Sequence, residues 1–143
     1  MKQLAFILSI LCIAGSCYGA ADIDEITPLV SGVSIDDTYL ASGAAVYTDG
    51  IIVEKNVGYA SVSLDLTTSS DLDLSFEVSN DGITYYSPKD TSNTDLGAIS
   101  TAITDDRWIV FTPRMAKFMR FKLDPDADTQ LNEMRLTFLK DNT

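Results

Sequence analysis

The stretch Leu72-Asp-Leu-Ser-Phe-Glu-Val-Ser79 sets the terms for the whole chain. Leu72, Leu74, Phe76 and Val78 alternate with Asp73, Ser75, Glu77 and Ser79. A period of two puts the first set on a buried face and the second on a wet one, the pattern of a strand at a sheet surface. The alternation stops at Ser79-Asn80-Asp81-Gly82. Asn80 and Asp81 suit the centre of a type I turn, and Gly82 suits the left-handed position after it. Ile83 to Tyr86 then reads as a second strand, with Ile83 and Tyr85 inward and Tyr86 outward.

Other segments repeat the pattern. Leu29 to Ile35 reads as a first strand with a bulge at Gly32, followed by a loop at Asp36-Asp37-Thr38. Short strands are expected over Ala44–Thr48 and Ile51–Glu54. Gly58 to Leu66 alternates with Ala60, Val62, Leu64 and Leu66 on one face. Leu96–Ile103 reads as a ragged edge strand, and Arg107–Thr112 as a strand ended by Pro113. Lys117–Leu123 places Met119, Phe121 and Leu123 together, and Leu131–Leu139 does the same for Met134, Leu136 and Phe138. Asp124-Pro125-Asp126-Ala127-Asp128 looks like an acidic turn between these last two. Eight or nine short strands between turn signals, with no helical period, predict an all-β antiparallel β-sandwich or barrel.

The first 21 residues differ in kind. Met1-Lys2-Gln3 is basic, Leu4 to Ala14 is apolar, and Gly15, Ser16, Gly19, Ala20 and Ala21 are small. This is the layout of a signal peptide, with cleavage expected after Ala21 and nearly as well after Gly19 or Ala20. Ala14-Gly15-Ser16 before Cys17 gives a lipoprotein-type alternative. Residues 22–143 then form a single domain, opening on an acidic leader at Asp22–Glu25. Both cysteines, Cys12 and Cys17, fall in the removed segment, so the mature domain relies on packing without a disulfide. The expected destination is secreted, periplasmic or cell-surface, with no membrane insertion after processing.

Charge and residue content restrict function. The chain has 10 basic and 21 acidic residues, a net charge of −11. Such a surface repels nucleic acid phosphates. There is no histidine, which removes the Ser-His-Asp triad and His metal ligation. Losing both cysteines removes thiol catalysis and thiolate zinc sites. Carboxylate pairs of the glycosidase kind remain chemically available, but the acids sit in turns or on wet strand faces. The expectation is a protein that is not an enzyme.

Two features offer binding chemistry. Asp124, Asp126 and Asp128 supply hard oxygen ligands at alternating positions, which suit calcium. An EF-hand would need Gly at Thr129 and Glu at Arg135, so that motif fails. Tyr85, Tyr86 and Trp108 are the candidate aromatic platforms for a sugar ring, with Lys89, Asp90 and Asn93 beside Tyr86 for its hydroxyls. Trp108 has a plainer reading as a core residue. Arg120 reads as one half of a cross-strand ion pair with Glu77 or Glu133.

The second half carries a familiar order. Ser75-Phe-Glu-Val-Ser-Asn-Asp-Gly82 precedes Tyr85-Tyr86, then Trp108-Ile-Val-Phe111, Ala116-Lys-Phe-Met-Arg-Phe121 and Leu131-Asn-Glu-Met-Arg-Leu136. Over residues 72–138 this resembles discoidin-type (coagulation factor type C) domains. The resemblance implies a jelly-roll sandwich, although the family's disulfide and opening helix have no counterpart; the expected function is a secreted binding or adhesion module for an extracellular glycan or cell surface. The chain is also similar to small β-sandwich proteins of phage and prophage genomes, a likeness that takes in Ala44-Ala-Val-Tyr-Thr-Asp49. That second resemblance implies a structural or attachment role and not a reaction; a virion or surface structural protein acting through protein–protein contacts is the alternative function, with a homo-oligomer left open.

Overall fold

The structure, a computed structural model, describes residues 23–53, 57–67, 71–113 and 116–140; the expected signal peptide over 1–21, with Cys12 and Cys17, lies outside them. Strands come first as short pieces: β1 (Ile23–Ile26), β2 (Leu29–Val30), β3 (Val33–Ser34), β4 (Thr38–Leu40), β5 (Val46–Tyr47) and β6 (Ile51–Ile52). Longer ones follow: β7 (Val57–Leu66), β8 (Asp71–Ser79), β9 (Ala98–Ile103), β10 (Arg107–Phe111), β11 (Phe118–Ala127) and β12 (Thr129–Lys140). There is no helix among the described residues.

Two antiparallel sheets form from these strands. The first runs β1-β12-β7-β10, with β4 on the same edge of β12 as β1. The second runs β5-β11-β8-β9, with β6 also on β11. Chain neighbours from β7 onward mostly lie in opposite sheets: β7 to β8, β9 to β10, β10 to β11 and β11 to β12 all cross over. Alternation explains the packing. In β8, Leu72, Leu74 and Phe76 are buried; in β7, Ala60, Val62, Leu64 and Leu66; in β11, Met119, Phe121 and Leu123; in β12, Leu131, Met134, Leu136 and Phe138. These inner faces form one hydrophobic cluster, with Ile35 and Leu40 closing it from the first part of the chain. Phe76 and Phe121 lie directly across from each other. Phe111, from the opposite sheet, puts its ring 5.5 Å from Phe76 and 6.0 Å from Phe121. Both contacts are tilted or edge-on, the arrangement aromatic quadrupoles favour.

Several expectations need correction. Strand pairing begins earlier than Leu29: Ile23–Ile26, which takes in most of the acidic leader, is a strand on β12. Leu29–Ile35 is not one bulged strand but a tight hairpin, because Ser31 and Gly32 both take positive φ (51° and 79°), as a type I′ turn requires. Asp49 fixes that turn by accepting the amides of Ser31 and Gly32 at 3.0 and 2.7 Å. Asp124 to Ala127 is not a turn but the end of β11, paired with β8. Pro125 is tolerated there because its missing N–H falls on the side away from β8, where Gly43 donates to the Pro125 carbonyl at 2.7 Å. The chain turns from one sheet to the other at Asp128.

Candidate functional site

The turn after β8 is built by two short side chains. Ser79 Oγ accepts the amides of Asp81 (3.3 Å) and Gly82 (2.9 Å), and donates to Asp81 Oδ1 at 2.8 Å. Gly82 takes the expected left-handed conformation, with φ of 74°. Asp81 Oδ1 in turn accepts the amides of Ile83 and Thr84, both at 2.9 Å. Donation from Thr84, then Ile83, then Ser79 lowers the Asp81 carboxyl to about 2. This capture of two amides is why Ile83–Tyr86 does not form the expected strand. Among the described residues, the segment returns to β8 through Tyr86 alone, which exchanges backbone hydrogen bonds with Val78 at 2.9 and 3.0 Å. Ile83, expected in the core, is instead 84% exposed.

Tyr86 points outward, as the sequence suggests, and is 67% exposed. It lines a cleft of about 290 Å³ together with Asn80, Asp81 and Thr84, floored by Val78 and Ala116. An aromatic ring therefore stands beside an amide, an ionised carboxylate and a hydroxyl. Its neighbour Tyr85 is committed elsewhere. The Arg120 guanidinium lies 4.4 Å from the centroids of both Tyr85 and Tyr47. Arg120 also donates twice to Glu77 Oε2, at 2.8 and 2.6 Å, which settles its partner. A half-buried Arg stacked between two tyrosines fixes the wet face of the second sheet.

Lys89, Asp90 and Asn93 belong to a self-contained turn. Lys89 bridges to Asp95, and Asp90 Oδ1 accepts the amides of Ser92 and Thr94 at 2.8 Å each. Asn93 is left-handed, with φ of 64°. The cleft at Tyr86 is lined by other residues, so the polar groups beside Tyr86 are Asn80, Asp81 and Thr84 instead.

Trp108 is not core. It stands 74% exposed on the outer face of the first sheet, on the opposite layer from Tyr86. With Tyr59, Val110 and Leu139 it edges a shallow groove of about 260 Å³, floored by Ser61 and Thr137. The register makes this patch continuous: Val110 is opposite Ser61, Ser61 opposite Thr137, and Tyr59 opposite Leu139. Tyr59, Val110 and Leu139 were not among the sequence candidates. Their positions at alternate strand sites, out of phase with the buried set, are the signal that would have found them.

The three aspartates expected to hold calcium have other occupations. Asp124 pairs with Lys122. Asp128 accepts the Ser42 amide at 2.9 Å and the Tyr39 hydroxyl, which hold its carboxyl below the usual range. Asp126 is exposed near the end of β11, where its carbonyl accepts from Ser42 Oγ at 2.7 Å. Among the described residues, no three acidic side chains gather closely enough to hold a metal ion.

No protein-family model matches this chain, and no curated protein matches it.

Proposed function

We propose that the chain is a secreted, non-enzymatic binding or adhesion module that takes an extracellular glycan in the Tyr86 cleft. The observation that carries this reading is the exposed Tyr86 ring beside Asn80, Asp81 and Thr84. A sugar presents a C–H face that packs on an aromatic ring and a rim of hydroxyls that bond to amides and carboxylates. Asp81, ionised throughout the neutral range, serves as an acceptor for those hydroxyls. Absence of histidine from the sequence supports binding without catalysis. The strand order, β4-β12-β7-β10 over β5/β6-β11-β8-β9, supports a jelly roll of the discoidin-like kind, with residues 1–21 as the export signal.

Tyr86→Ala tests the reading. The ring lies outside the core, so the melting temperature should stay near wild type while binding on a glycan array falls about tenfold or more. A folded wild-type protein that binds no glycan on the array would overturn the proposal. A second reading, a virion or surface structural protein acting through protein contacts, is favoured by the apolar face around Trp108.

A further inference from the structure

The edges of the two sheets are not alike. On the second sheet, β9 is irregular: its register with β8 shifts twice, and Ala102 takes a φ of 51°. The opposite edge is divided between the two-residue strands β5 and β6. On the first sheet, one edge is divided between β4, three residues long, and β1, which carries Asp24 and Glu25. These are the devices by which sheets avoid joining to other sheets: broken register, short strands and charge. β10 has no break in register and no acidic side chain, and its one charge stands at its first position. Its five residues pair with β7 in unbroken register, and Trp-Ile-Val-Phe follows its single charged residue, Arg107. Among the described residues, no strand pairs its other side.

We infer that β10 of one copy pairs antiparallel with β10 of a second copy, joining the first sheets of two molecules into one continuous sheet. An open edge offers a row of backbone donors and acceptors, so its natural occupant is another strand. The strand is self-complementary. A two-fold axis at Ile109 sets Trp108 opposite Val110 of the second copy, twice, an aromatic and β-branched pairing that sheets favour. Arg107 falls opposite Phe111, so no like charges oppose each other. The chain carries a net charge of −11, yet β10 contains no acid, which makes it a place where two copies can approach. An exposed Trp offers on the order of 200 Å². Two of these, two Val110 side chains and the strand edges reach roughly 1,000 Å², the lower limit for a specific interface. The expected product is a dimer that dissociates on dilution. The glycan cleft lies on the other sheet and plays no part in it.

Sedimentation equilibrium of the full chain tests this, with Trp108→Lys placing on β10 the charge that guards natural edges. Wild type should dimerise with concentration, Trp108→Lys should weaken dimerisation by about tenfold or more, and Tyr86→Ala should leave it unchanged. Hydrogen exchange of wild type needs no variant: amides in 107–111 should gain protection as concentration rises. A wild type that stays monomeric at its solubility limit would overturn the inference. So would a dimer whose 107–111 amides show no concentration dependence, or one that Tyr59→Ser dissolves and Trp108→Lys does not.

Discussion

Trp108 and Phe111 share one short strand and have opposite fates. Arg107-Trp-Ile-Val-Phe111 is apolar on both faces, so alternation alone cannot choose which face is buried. The choice is made across the sandwich, where Phe111 meets Phe76 and Phe121, leaving Trp108 and Val110 in solvent. A similar limit hid Ile83. Alternation with Tyr85 suggested the core, but the Asp81 carboxylate takes the Ile83 amide and the side chain stands outward. The turn residues themselves were legible, because Ser, Asp and Gly act through local hydrogen bonds and φ. Asp81 also yields a pH prediction. Its folded value, about 2, lies below the unfolded value of about 3.9. The order it imposes is therefore complete above the unfolded value and is lost as pH falls through the folded one. The Ile83 and Thr84 amide resonances should titrate with a midpoint near 2. A midpoint near 4 would show that the carboxylate does not hold those amides.

At the scale of elements, long strands were readable and short ones only in part: β5 and β6 fall inside the expected Ala44–Thr48 and Ile51–Glu54, while β1 to β4 were not told apart. β7, β8, β11 and β12 each contain at least three alternating apolar residues, and their buried sets match the sequence reading except at the end of β8, where Ser79 is buried and Val78 only partly so. β1 to β6 hold two to four residues apiece, too few to show a period. β2 and β3 pair with each other, and the positions of β1, β4, β5 and β6 are set by partners distant in sequence. The joint between β5 and β6 shows how. Both pair with β11, and between them Thr48 faces Phe121: its amide donates to the Phe121 carbonyl at 3.0 Å, and its Oγ1 accepts the Phe121 amide at 2.9 Å. A buried hydroxyl thus replaces a ladder bond where the edge is broken. Thr48→Val keeps the shape and strands the Phe121 amide, so it should cost about 1–3 kcal/mol in urea unfolding. A loss close to zero would mean that the amide finds another acceptor. The acidic run at Asp124–Asp128 misled for a related reason: Pro and Asp signal a turn, but pairing with β8 and the Gly43 contact hold it extended.

For the whole molecule, the sequence revealed the layers and one edge, the ragged strand within Leu96–Ile103 that ends the second sheet as β9, but not the other edges. Which residues face inward is written in the alternation; which strand ends a sheet depends on the order of pairing. The candidate site divided along the same line. Tyr86 could be read as exposed, while its true neighbours, Asn80, Asp81 and Thr84, come from a turn whose conformation is fixed by its own side chains. The core binds the layers into one unit through the Phe76, Phe111 and Phe121 rings, the last two from opposite sheets. Phe121→Ala should cost about 3–5 kcal/mol, a large share of the 5–15 kcal/mol typical of a domain. Probes in either sheet should report the same lowered transition. If only the second sheet melts early, the two layers are not one cooperative unit.

The position of β12 governs when this chain can fold. It pairs with β1, β4 and β7, so three strands of the first sheet depend on the last segment described. Ile23 in the first strand described finds Leu139 in the last. A chain delivered from its N-terminus, whether by a ribosome or through a translocation channel, cannot close that sheet until β12 emerges. Contacts so distant in sequence also form slowly. Until β12 emerges, β1, β4 and β7 lack the partner they share, so the first sheet stays open for as long as delivery lasts.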